Sequence, residues 1–316
     1  MTTEKYTQRD VKRPTTAEVV CFGSLMAMEL LVIDEWPQRN FGGLFKEQRD
    51  SLGQDAAMIA TMLRGWDIPS GLIGSALGKD YRGRWLAEHL KSSGVLGEVR
   101  LDSQLPTTLV VLISDAMGGR TYFWQPDKRV LATLDTADLS LLNGSRLLYV
   151  DWYDEDHILR PMDEAIRLDI PIFLNLEHLH KDPDILTRYA GRATICQAVT
   201  DSAQQGDQSP LAVAQTLLDA GVKTALITLA GEGCLVVQEQ QAIRVHAPSI
   251  QAIDSFGAGA TFSAGFIYGY LQGWSLETMA RFATATASIK CSRVGLEPPN
   301  LMESQTLAEQ LQVEYL

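Results

Sequence analysis

Seven apolar, β-rich runs separated by helical patterns constrain this chain more than any other feature. They are "EVVCFGSL" (18–25), "PSGLIGSA" (69–76), "TLVVLIS" (108–114), "SRLLYVDW" (145–152), "IPIFLNLE" (170–177), "ATICQAV" (193–199) and "TALITLAG" (224–231). Several are apolar throughout, the pattern of strands covered on both faces. Between them, residues 55–66, 81–94 and 210–221 carry helical periodicity, and 259–286 reads as two helices broken at "GYLQGWS". This alternation predicts an α/β fold with a mostly parallel central sheet and helices on both faces.

Two segments fall outside the alternation. "NFGGLFKEQRDSL" (40–52) and "TYFWQPDKR" (121–129) are short, aromatic and polar, and each adjoins a strand. They read as excursions that form a flap over one edge of the sheet. The first residues, 1–17, are polar with both charge signs and read as a disordered tail rather than a secretory signal. A formal charge of −12 argues against DNA, RNA or an anionic membrane as the main partner. No apolar run approaches the length of a membrane span. Cys21, Cys196, Cys234 and Cys291 lack metal-site spacing and read as reduced thiols of a cytoplasmic protein.

The candidate chemistry lies in "IDSFGAGATFSAGF" (253–266), a glycine loop running into an apolar helix. Gly257, Ala258 and Gly259 let the backbone approach an anion and aim successive N–H groups at it, and the helix adds its positive end.

The segment "DSFGAGATF" resembles the C-terminal signature of the ribokinase-like (PfkB) carbohydrate kinases, D-T-x-G-A-G-D-x-F. Asp254, Ser255, Gly257, Ala258, Gly259 and Phe262 match it, with Ser in place of Thr. "ITLAGEGCLV" (227–236), "TASIKCSRVGLEPPN" (286–300) and "GSALGKDYRGRWLAEHLKSSGV" (74–95) resemble further family segments, so the likeness spans most of the chain. It implies a ribokinase-like three-layer α/β sandwich over 18–316, with a small β-lid near 36–52 and 107–129. It also implies ATP with Mg²⁺ as cofactor, held near Thr228, Gly231, Gly233, Asp254, Ser255 and Phe256, around an anion hole at Gly257, Ala258 and Gly259. A monovalent ion, K⁺, would sit beside that hole at Asp254 and the "CSRVG" loop.

Several functional positions depart from the pattern. The family's catalytic base maps onto Ala260, and a methyl group accepts no proton. Its sugar-binding Asp maps onto Met28, one residue before Glu29. In "GQDAAM" (53–58), Gly53 is retained while the family's Asn becomes Met58. The motif that organises Mg²⁺ maps onto "QAVT" (197–200), where Gln197 and Thr200 carry no charge. Two methionines would line the acceptor pocket with soft apolar surface, which offers a polyol little in exchange for lost water.

Other clusters read as ordinary surface. Glu177, His178 and His180 follow a strand and are expected in a solvated loop, with metal binding or a substitute base at Glu177 as the sharper alternative. "DWYDEDH" (151–157) reads as a solvated strand-to-helix turn. Arg120 would face substrate or pair with a neighbouring carboxylate. Trp36 and Trp124, in or beside the flap, suit a homodimer or partner surface.

Two functional readings follow. One is a catalytically impaired kinase homologue that binds nucleotide or a small phosphorylated ligand and acts through a protein partner. The other is an active sugar or nucleoside kinase, with an unusual acceptor and substitute base or with an Asp-to-Ala change engineered at Ala260.

Overall fold

A computed structural model describes residues 16–115, 119–200 and 208–316. The N-terminal half runs β1 (Val19–Gly23), β2 (Met26–Ile33), β3 (Phe45–Gly53), α1 (Asp55–Gly65), β4 (Ser70–Gly74) and β5 (Leu77–Gly78). Then come α2 (Tyr81–Ser92), β6 (Leu101–Asp102), β7 (Leu109–Ser114), β8 (Arg120–Trp124), α3 (Lys128–Ala132) and β9 (Leu147–Asp151). The chain continues through α4 (Leu159–Arg167), β10 (Ile172–Glu177), α5 (Pro183–Arg188), β11 (Ile195–Val199), α6 (Pro210–Asp219) and β12 (Thr224–Thr228). It ends with β13 (Cys234–Gln238), β14 (Gln241–Val245), α7 (Ala258–Leu271), α8 (Leu276–Cys291), α9 (Leu301–Gln310) and β15 (Val313–Tyr315).

The central sheet has nine strands in the order β15-β14-β13-β12-β11-β10-β9-β1-β4. Pairings from β4 to β12 are parallel, and β13 to β15 close the edge in antiparallel fashion. Alternate residues of each strand feed two separate cores. Cys21, Tyr149, Phe173 and Leu226 pack with α1, α7 and α8, whereas Phe22, Val150, Leu174 and Ile227 pack with α4 and α6. Both faces of the strands are therefore apolar, which explains runs such as "LLYV" without polar alternation.

A second sheet, in the order β3-β2-β7-β8, forms the lid. The run at 108–114 forms β7, which pairs with β2 and β8 inside the lid segment expected over 107–129. Two sequence expectations need correction. The lid begins earlier than residue 36, since β2 pairs along its whole length with β3. The tail boundary at residue 17 is late, because Ala17 is fully buried in the core. Residues 1–15 of that tail, and 116–118 within the expected lid segment, lie outside the described residues. Every residue of β8 is exposed, including Phe123 and Trp124, and Trp36 is exposed as well. Among the described residues, no helix is long and apolar enough to cross a membrane.

Candidate functional site

A cleft of about 720 Å³ runs between the lid and the ends of the central strands, from Thr228, Gly231 and Gly233 past the glycine loop to Met28 and Arg120. The loop owes its shape to Gly257, which caps α7 in the left-handed region (φ 72°). A β-carbon there would overlap the Leu296 side chain, so glycine is needed twice over. The N–H groups of the first helical turn have no intrahelical acceptors. The Ala258 amide donates to the Ser255 carbonyl at 3.3 Å, and beside Gly259 the space is open, since an added β-carbon would meet nothing within 4 Å. The fourteen residues of α7 add their macrodipole behind these donors. Thr228, Gly231, Gly233, Ser255, Phe256, Ala258 and Ala260 also line the cleft, beside the N-terminal end of α7.

Asp254 does not line it. Its side chain is 1% exposed, and its Oδ1 accepts from the Phe256 amide at 2.9 Å while Oδ2 accepts from the Gly295 amide at 3.0 Å. Lys290, in the last turn of α8, places Nζ 2.8 Å from Asp254 Oδ2 and 2.7 Å from the Asp254 carbonyl oxygen. Burial lowers the Lys290 pKa, and Asp254 opposes that shift. The two oxygens that this residue would offer a monovalent cation are thus held by an ammonium group. The residues present do not fit a resident K⁺, which corrects the expectation at Asp254.

The Met28 end of the cleft is more acidic than the sequence suggests. Met28 and Met58 do line it, both nearly buried. Gly53 does not, because it pairs with Met26 across β2 and β3, and Gln54 and Asp55 form the wall instead. A register shift in β10 between Asn175 and Glu177 accompanies a positive φ of 48° at Glu177, whose side chain reaches the cleft. Asn175 Nδ2 lies 3.3 Å from Asp55 Oδ2, 3.2 Å from Asp151 Oδ2 and 3.0 Å from Glu177 Oε1. One amide has two protons to give, so it cannot satisfy three carboxylates at once. Desolvation, then the charge of Glu177, push Asp55 up from 3.8 to about 7 despite the opposing pull of Arg120. Asp151 is likewise raised well above the ordinary carboxylate range by burial and by Asp55. Arg120 reaches down from the lid, and its Nη1 donates to the Ser255 carbonyl at 2.9 Å.

The other expected clusters resolve as follows. Gln197 is fully buried, accepts from the Ser263 hydroxyl at 2.8 Å and leaves the cleft wall to Val199. Thr200 is buried too, and neither residue supplies charge for Mg²⁺. His178 lines the cleft, but His180 is buried rather than solvated, and desolvation lowers its pKa. Asp151 and Asp154 are buried as well, so their turn is only partly solvated. Asp154 Oδ1 accepts from the Ser24 amide at 3.0 Å, and burial raises its pKa to about 6. Among the described residues, no group of three or more His, Cys, Asp or Glu side chains has metal-binding geometry.

Two site residues escaped the sequence reading. Asp55 stands inside "GQDAAM" between Gly53 and Met58, and a carboxylate opening a helix just after a glycine is itself a signal. Lys290 was marked only by being a charge within a run of small and apolar helix residues, "ATASIKC".

Comparison with known proteins agrees with this architecture. Residues 192–302 match the model of the pfkB family carbohydrate kinases. The nucleoside kinase of Methanothermobacter thermautotrophicus is 28% identical over 267 residues, covering 82% of this chain and 84% of the relative. Arabidopsis thaliana ribokinase, solved with ribose and ATP, superposes with a TM-score of 0.73 at 20% identity, covering 93% of this chain and 99% of its own. A putative ribokinase from Agrobacterium tumefaciens gives a TM-score of 0.82 at 19% identity, with 93% and 98% covered. The fold is ribokinase-like, with a large and mostly parallel sheet between helical layers.

Proposed function

We propose that this chain, which carries a PfkB-family carbohydrate kinase domain on a ribokinase-like fold, binds a nucleoside triphosphate in its cleft but is impaired in transferring the phosphoryl group. The observation that carries the reading is Ala260. It lies 1% exposed in the first turn of α7, beside the anion-binding amides, where the family's motif has its base. Loss of a positioned general base costs roughly 10²–10⁴ in rate. The open space at Gly259 and the helix behind it support retention of the nucleotide. Binding of Mg²⁺ has weaker support, because Gln197 and Thr200 are buried and carry no charge. The Arabidopsis ribokinase structure, which holds ATP, supports nucleotide binding by analogy. A role through a protein partner would use the exposed lid face at Phe123 and Trp124.

A second reading has one specific observation in its favour. Asp55 sits on the cleft wall with its pKa near 7, the range of a working general base. On that reading the chain is an active kinase whose base has moved to the acceptor end. The carboxylates there would accept hydrogen bonds from hydroxyl or amino groups of the acceptor.

Calorimetric titration with MgATP tests the main reading. A one-to-one isotherm at micromolar to millimolar concentration is the expected result, and a flat trace at millimolar nucleotide removes it. ADP release that disappears in Asp55→Asn would favour the second reading.

A further inference from the structure

We propose that Lys290 is a built-in monovalent cation, which holds the glycine loop in place and makes the site independent of K⁺. The loop and the end of α8 are joined at three points. The amides of Ile253 and Asp254 both donate to the Cys291 carbonyl, at 2.8 and 3.2 Å. The Gly295 amide reaches Asp254 Oδ2 from the segment after the helix. Between these backbone contacts sits the Lys290 ammonium, on one carboxylate and one carbonyl oxygen of the same residue. Its side chain and that of Asp254 are each 1% exposed.

A carboxylate and a main-chain carbonyl converging on one point form a cation site by their chemistry, and an ammonium nitrogen is close to potassium in size. Lys290 also lies in the last turn of α8, where the negative end of the helix favours a positive charge. A tethered ammonium has no binding equilibrium, so the loop stays ordered whatever the surrounding salt. Lys290 is therefore a positioning residue that acts through Asp254 and the loop. The proposal does not depend on whether nucleotide binds, and its test is made without nucleotide.

The test compares thermal unfolding in KCl, NaCl and choline chloride at equal ionic strength, for the full chain and for Lys290→Ala and Lys290→Met. The unsubstituted protein is expected to give the same Tm in all three salts. Lys290→Ala removes the ammonium and leaves room for an ion, so it should lose Tm in choline and regain at least half of that loss in KCl. Lys290→Met fills the space with apolar atoms and should show no rescue. A Tm loss in Lys290→Ala that KCl does not restore would reduce the pair to a simple salt bridge and overturn the proposal. If Lys290→Ala fails to fold in every salt, crystals of the unsubstituted protein soaked in thallium(I), a heavy stand-in for potassium, decide the matter. No anomalous peak within bonding distance of Asp254 supports the proposal, and a peak there overturns it.

Discussion

Arg120 of the lid and Ser255 of the glycine loop touch directly: the guanidinium Nη1 donates to the Ser255 carbonyl at 2.9 Å. The contact joins the exposed β8 edge to the glycine loop, so lid position and loop position are coupled. Arg120→Ala should weaken nucleotide binding by about 2–10-fold, the equivalent of one hydrogen bond of about 0.5–1.5 kcal/mol. Global stability should hardly change, because Arg120 is exposed. Calorimetry on the two proteins checks this, and equal affinities would mean that the Arg120–Ser255 contact contributes nothing to binding.

Gly259→Ala separates folding from binding. The residue is the second of α7 and has open space where the methyl would go. The substitution should stabilise the helix by up to about 0.5–1 kcal/mol. The same methyl would stand where the anion approaches the amides, and nucleotide binding should fall at least tenfold. A rise in Tm with loss of binding is the expected pair of outcomes. Unchanged binding would move the phosphate elsewhere in the cleft.

The raised pKa of Asp55 carries a defined pH signature. The group titrates near 7 in the folded chain and at its ordinary value of 3.8 when exposed. Between these values the folded state holds more protons than the unfolded one, so stability falls as pH rises. The contribution is fully present below about pH 4 and is lost through pH 7. Asp55→Asn should therefore flatten the Tm profile between pH 5 and 8. At pH 8 the variant should be the more stable protein by on the order of 1–3 kcal/mol. Parallel profiles for the two proteins would show that the carboxylate is not perturbed.

How much of this could be read beforehand follows from the kind of signal each feature leaves. The central strands were plain because both of their faces are buried, and "LLYV" or "IFLNL" admits little else. The glycine loop was equally plain, since Gly257 and Gly259 answer local backbone and space requirements. The lid strand β2 is hard to read because "MAMELLVI" is half-buried and follows β1 after only Ser24 and Leu25. The acidic acceptor end was hidden for another reason. Asp55, Asp151 and Glu177 lie in three distant segments and are brought together around Asn175. The Lys290–Asp254 pair spans 36 positions, and helical spacing that puts Lys290 on the face of Met279 and Ala283 says nothing of a partner for its charge.

The helices behind the loop depend on an aromatic cluster. Phe282 of α8 is 1% exposed, stacks on Tyr268 at 5.5 Å and meets Trp274 edge-on at 5.3 Å. Trp66 joins the same group, and its indole N–H donates to the Pro299 carbonyl at 2.7 Å. Phe282→Ala should cost about 3–5 kcal/mol in urea denaturation. A loss below about 1 kcal/mol would mean that α8 is held by other contacts.

The most direct measurement is ADP release over a panel of sugars and nucleosides, with this chain run beside Ala260→Asp. Background turnover by the unsubstituted chain, with a gain of about 10²–10⁴ in the variant for at least one acceptor, is the result expected if the missing carboxylate limits transfer. Robust ADP release by the unsubstituted chain, with no gain on adding the carboxylate, would contradict an impaired site and point to a base elsewhere in the cleft.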